Sequence, residues 1–279
     1  MKGLIALDID GTLTMPGQPI AQEVINYLHK LSKNDWVIAI LTGRPFQWSR
    51  QLLKTLPFEY YLSVQNGAIT LQMPMEKITN KTYLNAQVIP VMQQICADEP
   101  TDFVIYAGYE CQDQCFYRPE YFSKELLKYV QARSAELGET WIPVSSFDQL
   151  KLEQFPSIKC FGSHQPAIKI AKRIEKELKL HVPLIRDPFD DNYYVAQATH
   201  FNASKGDALR SLGRLLAHDG VIIAAGDDYN DLSLLSAATI KVVMSTAPQD
   251  MLHHADVIAP PAELRGIIEG LEAAINLKK

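Results

Sequence analysis

The 279-residue chain predicts an α/β fold, a doubly wound parallel sheet interrupted by an inserted α+β unit. Three observations carry that expectation. Short unbroken apolar runs each end in a polar cluster, amphipathic helical stretches separate them, and prolines break this rhythm from about residue 83 until it resumes near residue 199. The length also exceeds what one compact core usually holds. We therefore expect a core domain over 1–83 and 199–279 and an inserted domain over 84–198.

Leu4 to Leu7 is an apolar run too short for a helix, and it ends in Asp8-Ile9-Asp10-Gly11-Thr12. This reads as a buried parallel strand delivering two carboxylates to its carboxyl end, the edge where open α/β sheets bind ligands. Ile20 to Leu31 has helical apolar spacing, and Val37 to Leu41 repeats the strand design before Thr42-Gly43-Arg44-Pro45. A helix over Phe46 to Leu56 and a strand over Tyr60 to Val64, ending in Gln65-Asn66-Gly67-Ala68, complete a strand-helix alternation that implies a parallel sheet.

The insertion predicts helices over Ala86 to Ala97, Lys124 to Leu137 and Ala167 to Leu178. An aromatic, β-like stretch spans Phe103 to Tyr117, and strands are expected at Lys159 to Gly162, Pro183 to Arg186 and Tyr193 to Ala198. The opening pattern then returns. Ser204 and Asp207 resemble a capping box, so Lys205 falls in a first helical turn. Val221 to Ala225 is another buried strand, ending in Gly226-Asp227-Asp228-Tyr229-Asn230-Asp231 before a helix over Leu232 to Ala238. Strands over Ile240 to Met244 and Val257 to Ala259 and a helix over Ala262 to Leu277 close the chain.

Composition narrows the function. With 47% hydrophobic and 21% charged residues the chain is an ordinary globular protein, and a net charge of −5 disfavours binding to a phosphate backbone. Nucleic acid is not expected as a partner, and neither is a membrane, since no apolar run reaches spanning length and the amino terminus lacks a signal-peptide core. A cytoplasmic location follows as the expectation. Cys96, Cys111, Cys115 and Cys160 lack Cys-x-x-Cys pairing, so reduced thiols are expected rather than disulfides or structural zinc.

Asp8, Asp10, Thr42, Lys205, Asp227 and Asp231 are thus all expected on one edge of one sheet. Several carboxylates that close repel unless a divalent cation neutralises them, and an all-oxygen set favours Mg²⁺ over zinc. Lys205, the Thr42 hydroxyl and backbone amides around Ile9, Asp10 and Gly43 suit a phosphoryl group. Asp8 is placed to attack phosphorus, and Asp10 to protonate the leaving oxygen and then deprotonate water. Asp227 would complete the metal site with Asp8 and Asp10, while Asp231 orients metal-bound water or Lys205. By contrast, Asp207 and Asp228 read as helix-start acids, and His253-His254 as surface. Tyr106, Tyr109, Tyr193 and Tyr194 read as core of the insertion more than as a substrate face.

Asp8-x-Asp10-Gly11-Thr12, Thr42-Gly43-Arg44, Lys205 and Gly226-Asp227-x-x-Asn230-Asp231 together resemble, in order and spacing, the four motifs of the haloacid dehalogenase superfamily. The insertion after the second motif, with Asn66-Gly67-Ala68 before it, resembles the Cof-type, subclass IIB phosphatases. The resemblance implies a Rossmann-like core with a cap of the C2B type that closes over the site and selects substrate. It also implies the Asp10 backbone carbonyl as a metal ligand, Asn230 as support for the metal site, and Arg44 as a phosphate or substrate contact. The resulting expectation is a Mg²⁺-dependent phosphatase that hydrolyses a small phosphorylated metabolite, such as a sugar phosphate, through an aspartyl-phosphate. A phosphomutase of the same superfamily uses the same two acids, and a non-catalytic binding or regulatory protein is a third reading, which intact Asp8, Asp10, Lys205 and Asp227 argue against.

Overall fold

The computed structural model describes residues 2–187 and 190–277. The chain opens on β1 (Gly3–Leu7) and passes through α1 (Gln22–Lys33), β2 (Trp36–Leu41), α2 (Phe46–Leu53) and β3 (Tyr60–Val64) to a hairpin of β4 (Ile69–Met73) and β5 (Lys77–Lys81). Next come β6 (Leu84–Asn85), α3 (Ile89–Cys96), β7 (Phe103–Tyr106), β8 (Cys115–Tyr117), α4 (Lys124–Glu136), β9 (Trp141–Pro143) and β10 (Gln154–Phe155). The insertion continues with β11 (Ser157–Gly162), α5 (His164–Leu178), β12 (Leu184–Arg186) and β13 (Tyr194–Ala198). Finally, α6 (Lys205–Leu215), β14 (Ile222–Gly226), α7 (Leu232–Ser236), β15 (Ile240–Met244), α8 (Gln249–Leu252), β16 (Val257–Ala259) and α9 (Ile267–Leu277) complete the chain.

Two compact units result, one comprising the residues up to Gly43, Arg50–Lys81 and the residues from Ser204, the other Arg44–Ser49 and Thr82–Ala203. The first unit holds an eight-stranded sheet in the order β16-β15-β14-β1-β2-β3-β4-β5. β1 is central and parallel to both neighbours, with Ala6 opposite Ala39 on β2 and Ala224 on β14. Its residues Leu4, Ile5, Ala6 and Leu7 are wholly buried. Such a strand cannot alternate polar with apolar, which explains the continuous run in the sequence. Leu4, Ala6 and Ala224 pack against Ala208, Leu209 and Leu212 of α6 and Leu234 and Leu235 of α7. α1 lies on β2 and α9 on β15 and β16, so helices cover the sheet on both faces.

From β1 the chain winds outward through β2 and β3, and after the insertion it returns to β14 and winds the other way. The crevice at such a reversal, outside the carboxyl ends of β1 and β14, is where doubly wound sheets take their ligands. One departure from expectation is at the edge. β4 and β5 are antiparallel, so the sheet is mixed. A second is at the carboxyl terminus, where the expected helix over Ala262 to Leu277 breaks into a short 3₁₀ turn and α9. Arg265 takes a left-handed φ of 60°, and a side chain at Gly266 would collide with the Pro260 carbonyl. Among the described residues no helix is long and apolar enough to cross a membrane.

The second unit is a six-stranded sheet, ordered β12-β13-β11-β7-β8-β9, with a two-stranded β10-β6 ribbon. Ile158 and Cys160 of β11 face Met92 and Ile95 of α3 and Ile170 and Ile174 of α5. Val104, Tyr106 and Phe161 form the opposite core with Leu126 and Val130 of α4. Tyr106 is thus core, as expected. All four cysteines are free thiols.

Among the described residues of this unit, two ion pairs are buried. Arg118 donates a fork to Asp102 at 2.8 and 3.0 Å, and Arg133 donates to Asp187 at 2.5 Å. Removing one partner of such a pair leaves an uncompensated charge in an apolar setting, a loss of about 3–5 kcal/mol. Asp102→Ala is therefore expected to lower the stability of this unit by that amount in urea denaturation followed by circular dichroism. A loss near zero would show the pair to be dispensable.

Candidate active site

The end of β1 sets the first acid. The Asp8 N–H donates to the Ala225 carbonyl at 3.1 Å, so Asp8 still belongs to the ladder between β1 and β14. Beyond it the chain curls around the Ile9 carbonyl, which accepts the N–H groups of Thr12, Leu13 and Thr14. Gly11 has φ +81°, and a Cβ there would overlap the Asp227 carboxylate. Only glycine meets both demands, the backbone angle and the close approach. Thr12 then donates its hydroxyl to Asp227 Oδ1 at 3.0 Å, tying the first loop to the β14 loop.

Lys205 arrives from the other direction. Ser204 and Asp207 form the expected capping box at the start of α6, which fixes the first turn and turns Lys205 inward to 1% exposure. Its Nζ donates to Asp8 Oδ1 at 2.5 Å and to Asp231 Oδ1 at 2.6 Å. The other Asp231 oxygen accepts the N–H groups of Asp227 at 3.1 Å and Asp228 at 3.3 Å. Asp231 therefore folds the β14 loop and orients Lys205. Asp228 caps the 3₁₀ turn Tyr229–Asp231, a structural duty like that of Asp207.

Thr42, 1% exposed, follows β2 and is anchored by its N–H to the Ser63 carbonyl and by its carbonyl to the Asn66 N–H, both at 2.9 Å. At the β3 tip Gln65 and Asn66 adopt left-handed φ values of 52° and 55°, an unfavourable conformation for side-chain-bearing residues that is stored at functional sites. Gly67 follows at φ +100°, where a Cβ would overlap the Ser204 carbonyl. This tip is thus pressed against the helix start that carries Lys205. Both polar atoms of the Asn66 amide are buried without a hydrogen-bond partner among the described residues.

The structure brings together Asp8, Asp227 and Asp231, which offer carboxylate oxygens within 4.8 Å of one another. The Asp10 carboxylate is outside that trio, although its charge acts on Asp8, and its backbone bridges to Thr14. Asn230 shares the 3₁₀ turn but donates no hydrogen bond to the acids. Arg44 groups with the second unit, its guanidinium 4.6 Å above the Trp48 ring. Ile9 is buried in the core and Gly43 is partly exposed. His253 and His254 are exposed, as expected. The contacts of Thr12 and the strained Asn66 tip were not legible as such; a Thr after Asp-x-Asp-Gly and two consecutive long polar residues before Gly67 were the only signals.

Burial, then the negative charge of Asp231, push the Asp8 carboxyl up to about 7, against the opposing pull of Lys205. Burial and the charges of Asp8 and Asp231 hold Asp227 well above the usual carboxylate range. Burial works to lower the Lys205 ammonium, but Asp231 and Asp8 outweigh it and hold it above the ordinary lysine range. One ammonium thus serves an excess of acids. An all-oxygen donor set with that surplus of negative charge fits a hard divalent cation.

The comparisons agree with this geometry. The family model of haloacid dehalogenase-like hydrolases matches residues 5–271. A Bacillus subtilis (strain 168) protein named "Putative phosphatase YxeH" is 24% identical over 286 residues, covering 100% of both chains. Among solved structures, the phosphatase BT1666 from Bacteroides thetaiotaomicron superposes with a TM-score of 0.77 at 18% identity, covering 98% of this chain and 95% of that one. The subclass IIB sugar phosphatase BT4131 does so with a TM-score of 0.75 at 21% identity, covering 98% of each. A core of parallel strands whose tips gather three acids around one buried lysine, matched by a family model over nearly the whole chain, places this chain in the haloacid dehalogenase-like hydrolases.

Proposed function

We propose that the protein is a Mg²⁺-dependent phosphatase of small phosphomonoesters, sugar phosphates or similar metabolites, acting in the cytoplasm through an aspartyl-phosphate. The observation that carries this reading is the lone Lys205 ammonium shared by Asp8 and Asp231 beside Asp227. In it, an Asp8 carboxylate oxygen attacks phosphorus and the bond to the leaving oxygen breaks as Asp10 delivers a proton there. Water then attacks the phosphoryl group, Asp10 takes its proton, and the bond to Asp8 breaks, restoring the carboxylate. Lys205, the Thr42 hydroxyl, the backbone amides at Ile9 and Gly43, and Arg44 are assigned to the phosphoryl oxygens. The cation would be held by the Asp8 and Asp227 carboxylates and the Asp10 carbonyl, and it would neutralise the repulsion between acids and phosphate. In this reading Asp231 and Asn230 support the ligands, and the inserted unit, residues 84–198 between 1–83 and 199–279, is the cap that selects substrate.

Two outcomes test it. Asp8→Asn is expected to reduce Mg²⁺-dependent release of phosphate from an aryl phosphate by at least about 10³-fold, while melting no lower than the unaltered protein, since it removes a buried charge. Retained turnover in that variant would rule out Asp8 as the nucleophile.

The second concerns pH. A carboxyl raised to about 7 in the fold costs stability as pH climbs from its unfolded value, 3.8, through 7, because the folded state holds the proton that the unfolded state releases. A cation bound to the carboxylate opposes that loss. Millimolar Mg²⁺ is therefore expected to raise Tm more at pH 8 than at pH 5.5 relative to chelator, read by differential scanning fluorimetry. An equal rise at both values, or none, would count against this site.

A further inference from the structure

Arg210 and Arg214 stand one turn apart on α6, yet their surroundings differ. Arg210 donates to the Asp207 carboxylate, three residues before it, at 2.7 Å. At the matching position before Arg214 the sequence has Ser211, whose hydroxyl oxygen accepts from the guanidinium at 3.1 Å. That contact orients the group and leaves its charge whole. Among the described residues no carboxylate oxygen lies within 4.0 Å of Arg214. A cation in the last turn of a helix is favourable in itself, which accounts for the charge. It does not account for what the charge borders.

Arg214 lines a cavity of about 400 Å³ between α6 and the β4–β5 hairpin, wholly within the first unit. That volume falls in the range of small-molecule sites, about 300–1,000 Å³. Among the described residues that line it, Arg214 alone is charged. Thr79 spends its hydroxyl proton on the Thr70 carbonyl, whereas the Ser211 hydroxyl proton and the Asn80 amide are engaged by no other described residue. Leu215, which also lines the cavity, is 55% exposed, an apolar side chain left open to solvent. The arginine borders a second cavity, of about 370 Å³, but there Asp219 joins the lining and brings an acid. Only the side toward the hairpin combines an uncancelled charge, neutral donors and an apolar wall among the described residues.

We infer that this cavity is a second binding site, one that takes a small organic anion. Its phosphoryl or carboxylate group is held by Arg214, Ser211 and Asn80, and its body covers Leu215. A planar guanidinium presents paired donors that match either oxyanion, and the hydroxyl and amide add neutral ones. A neutral ligand would gain nothing from the charge, and a cation would be repelled. The helix itself separates this site from the acids, since Lys205 begins α6 and Arg214 follows nine residues later, about 14 Å along the axis. The ligand is therefore distinct from an ester held at the acids, and the inference does not rest on the phosphatase reading.

The probes are butyl phosphate and butyrate, titrated in chelator so that turnover does not intervene, with sodium chloride at matched ionic strength as the control. Binding is read from the Arg214 Nε–H resonance in nitrogen–proton correlation spectra, assigned by its absence from Arg214→Gln. The unaltered protein is expected to show a saturable shift with at least one probe, at a Kd of about 1 mM or below; the tighter of the two tells phosphoryl from carboxylate. Ser211→Asp supplies to Arg214 the acid that Asp207 supplies to Arg210, and is expected to weaken that binding by at least about tenfold. Its circular dichroism is expected to be unchanged and its aryl phosphate turnover to stay within about threefold of the unaltered protein. Arg214→Gln, altered at an exposed position, is expected to lose the same binding event in calorimetry. No saturation by about 20 mM of either probe, an equal shift with chloride, undiminished binding in Ser211→Asp, or every binding event retained in Arg214→Gln would overturn the inference.

Discussion

The structure of the first unit depends on a shortage of positive charge. One carboxylate oxygen each from Asp8, Asp227 and Asp231 lies within 4.8 Å of the others, and among the described residues the cation fully buried with them is Lys205, bonded to two of the three. Ion pairing at this depth is costly unless every remaining lone pair finds a donor. Asp231 meets that condition through two backbone N–H groups and the ammonium. Asp8 and Asp227 meet it only in part, with one side-chain donor each. The incomplete pair is the one left with raised carboxyls, an arrangement whose repulsion a divalent cation would relieve.

Topology makes that shortage possible. Carboxylates would separate if they lay on flexible loops, but each is fixed within a residue or two of a strand end or helix start. Asp8 continues the β1 ladder, the β14 loop is tied down by Asp231, and a capping box sets the rotation of α6 that buries Lys205. The glycines at 11 and 67 let backbone approach a carboxylate and a helix start where any Cβ would intrude. Sheet packing therefore supplies the free energy that holds like charges together.

Much of this was legible in the sequence because buried parallel strands are written as unbroken apolar runs and their tips as polar breaks. Tyr60–Val64, Ile240–Met244 and Val257–Ala259 have the bounds their runs predict. Helix ends were read less well. The Phe46 helix stops at Leu53 rather than Leu56, and Arg265 breaks the last helix. The antiparallel hairpin of β4 and β5 was missed because its outer strand, Lys77–Lys81, is largely exposed and carries no apolar run. In the site, the motif residues could be read from spacing, whereas the Thr12 to Asp227 hydrogen bond spans 215 positions and only the folded sheet brings its ends together. The burial of Lys159 was invisible for the same reason, since a lysine in a short strand reads as a solvated one.

Buried charge thus separates into two kinds in this chain. Arg118 with Asp102 and Arg133 with Asp187 are even pairs, each cation facing its own acid, and such pairs fix side chains without calling for anything further. The odd sets are different. In the first unit acids outnumber the ammonium, and in the second the Lys159 ammonium feels the charge of Glu139 but has no carboxylate oxygen within 4.0 Å among the described residues. Folding alone gives no reason to retain either imbalance, because apolar residues of similar volume would pack as well or better. The two imbalances have opposite sign, and the first is the one suited to a cation. In the first unit, a hard divalent ion is the partner that would neutralise the surplus of carboxylates.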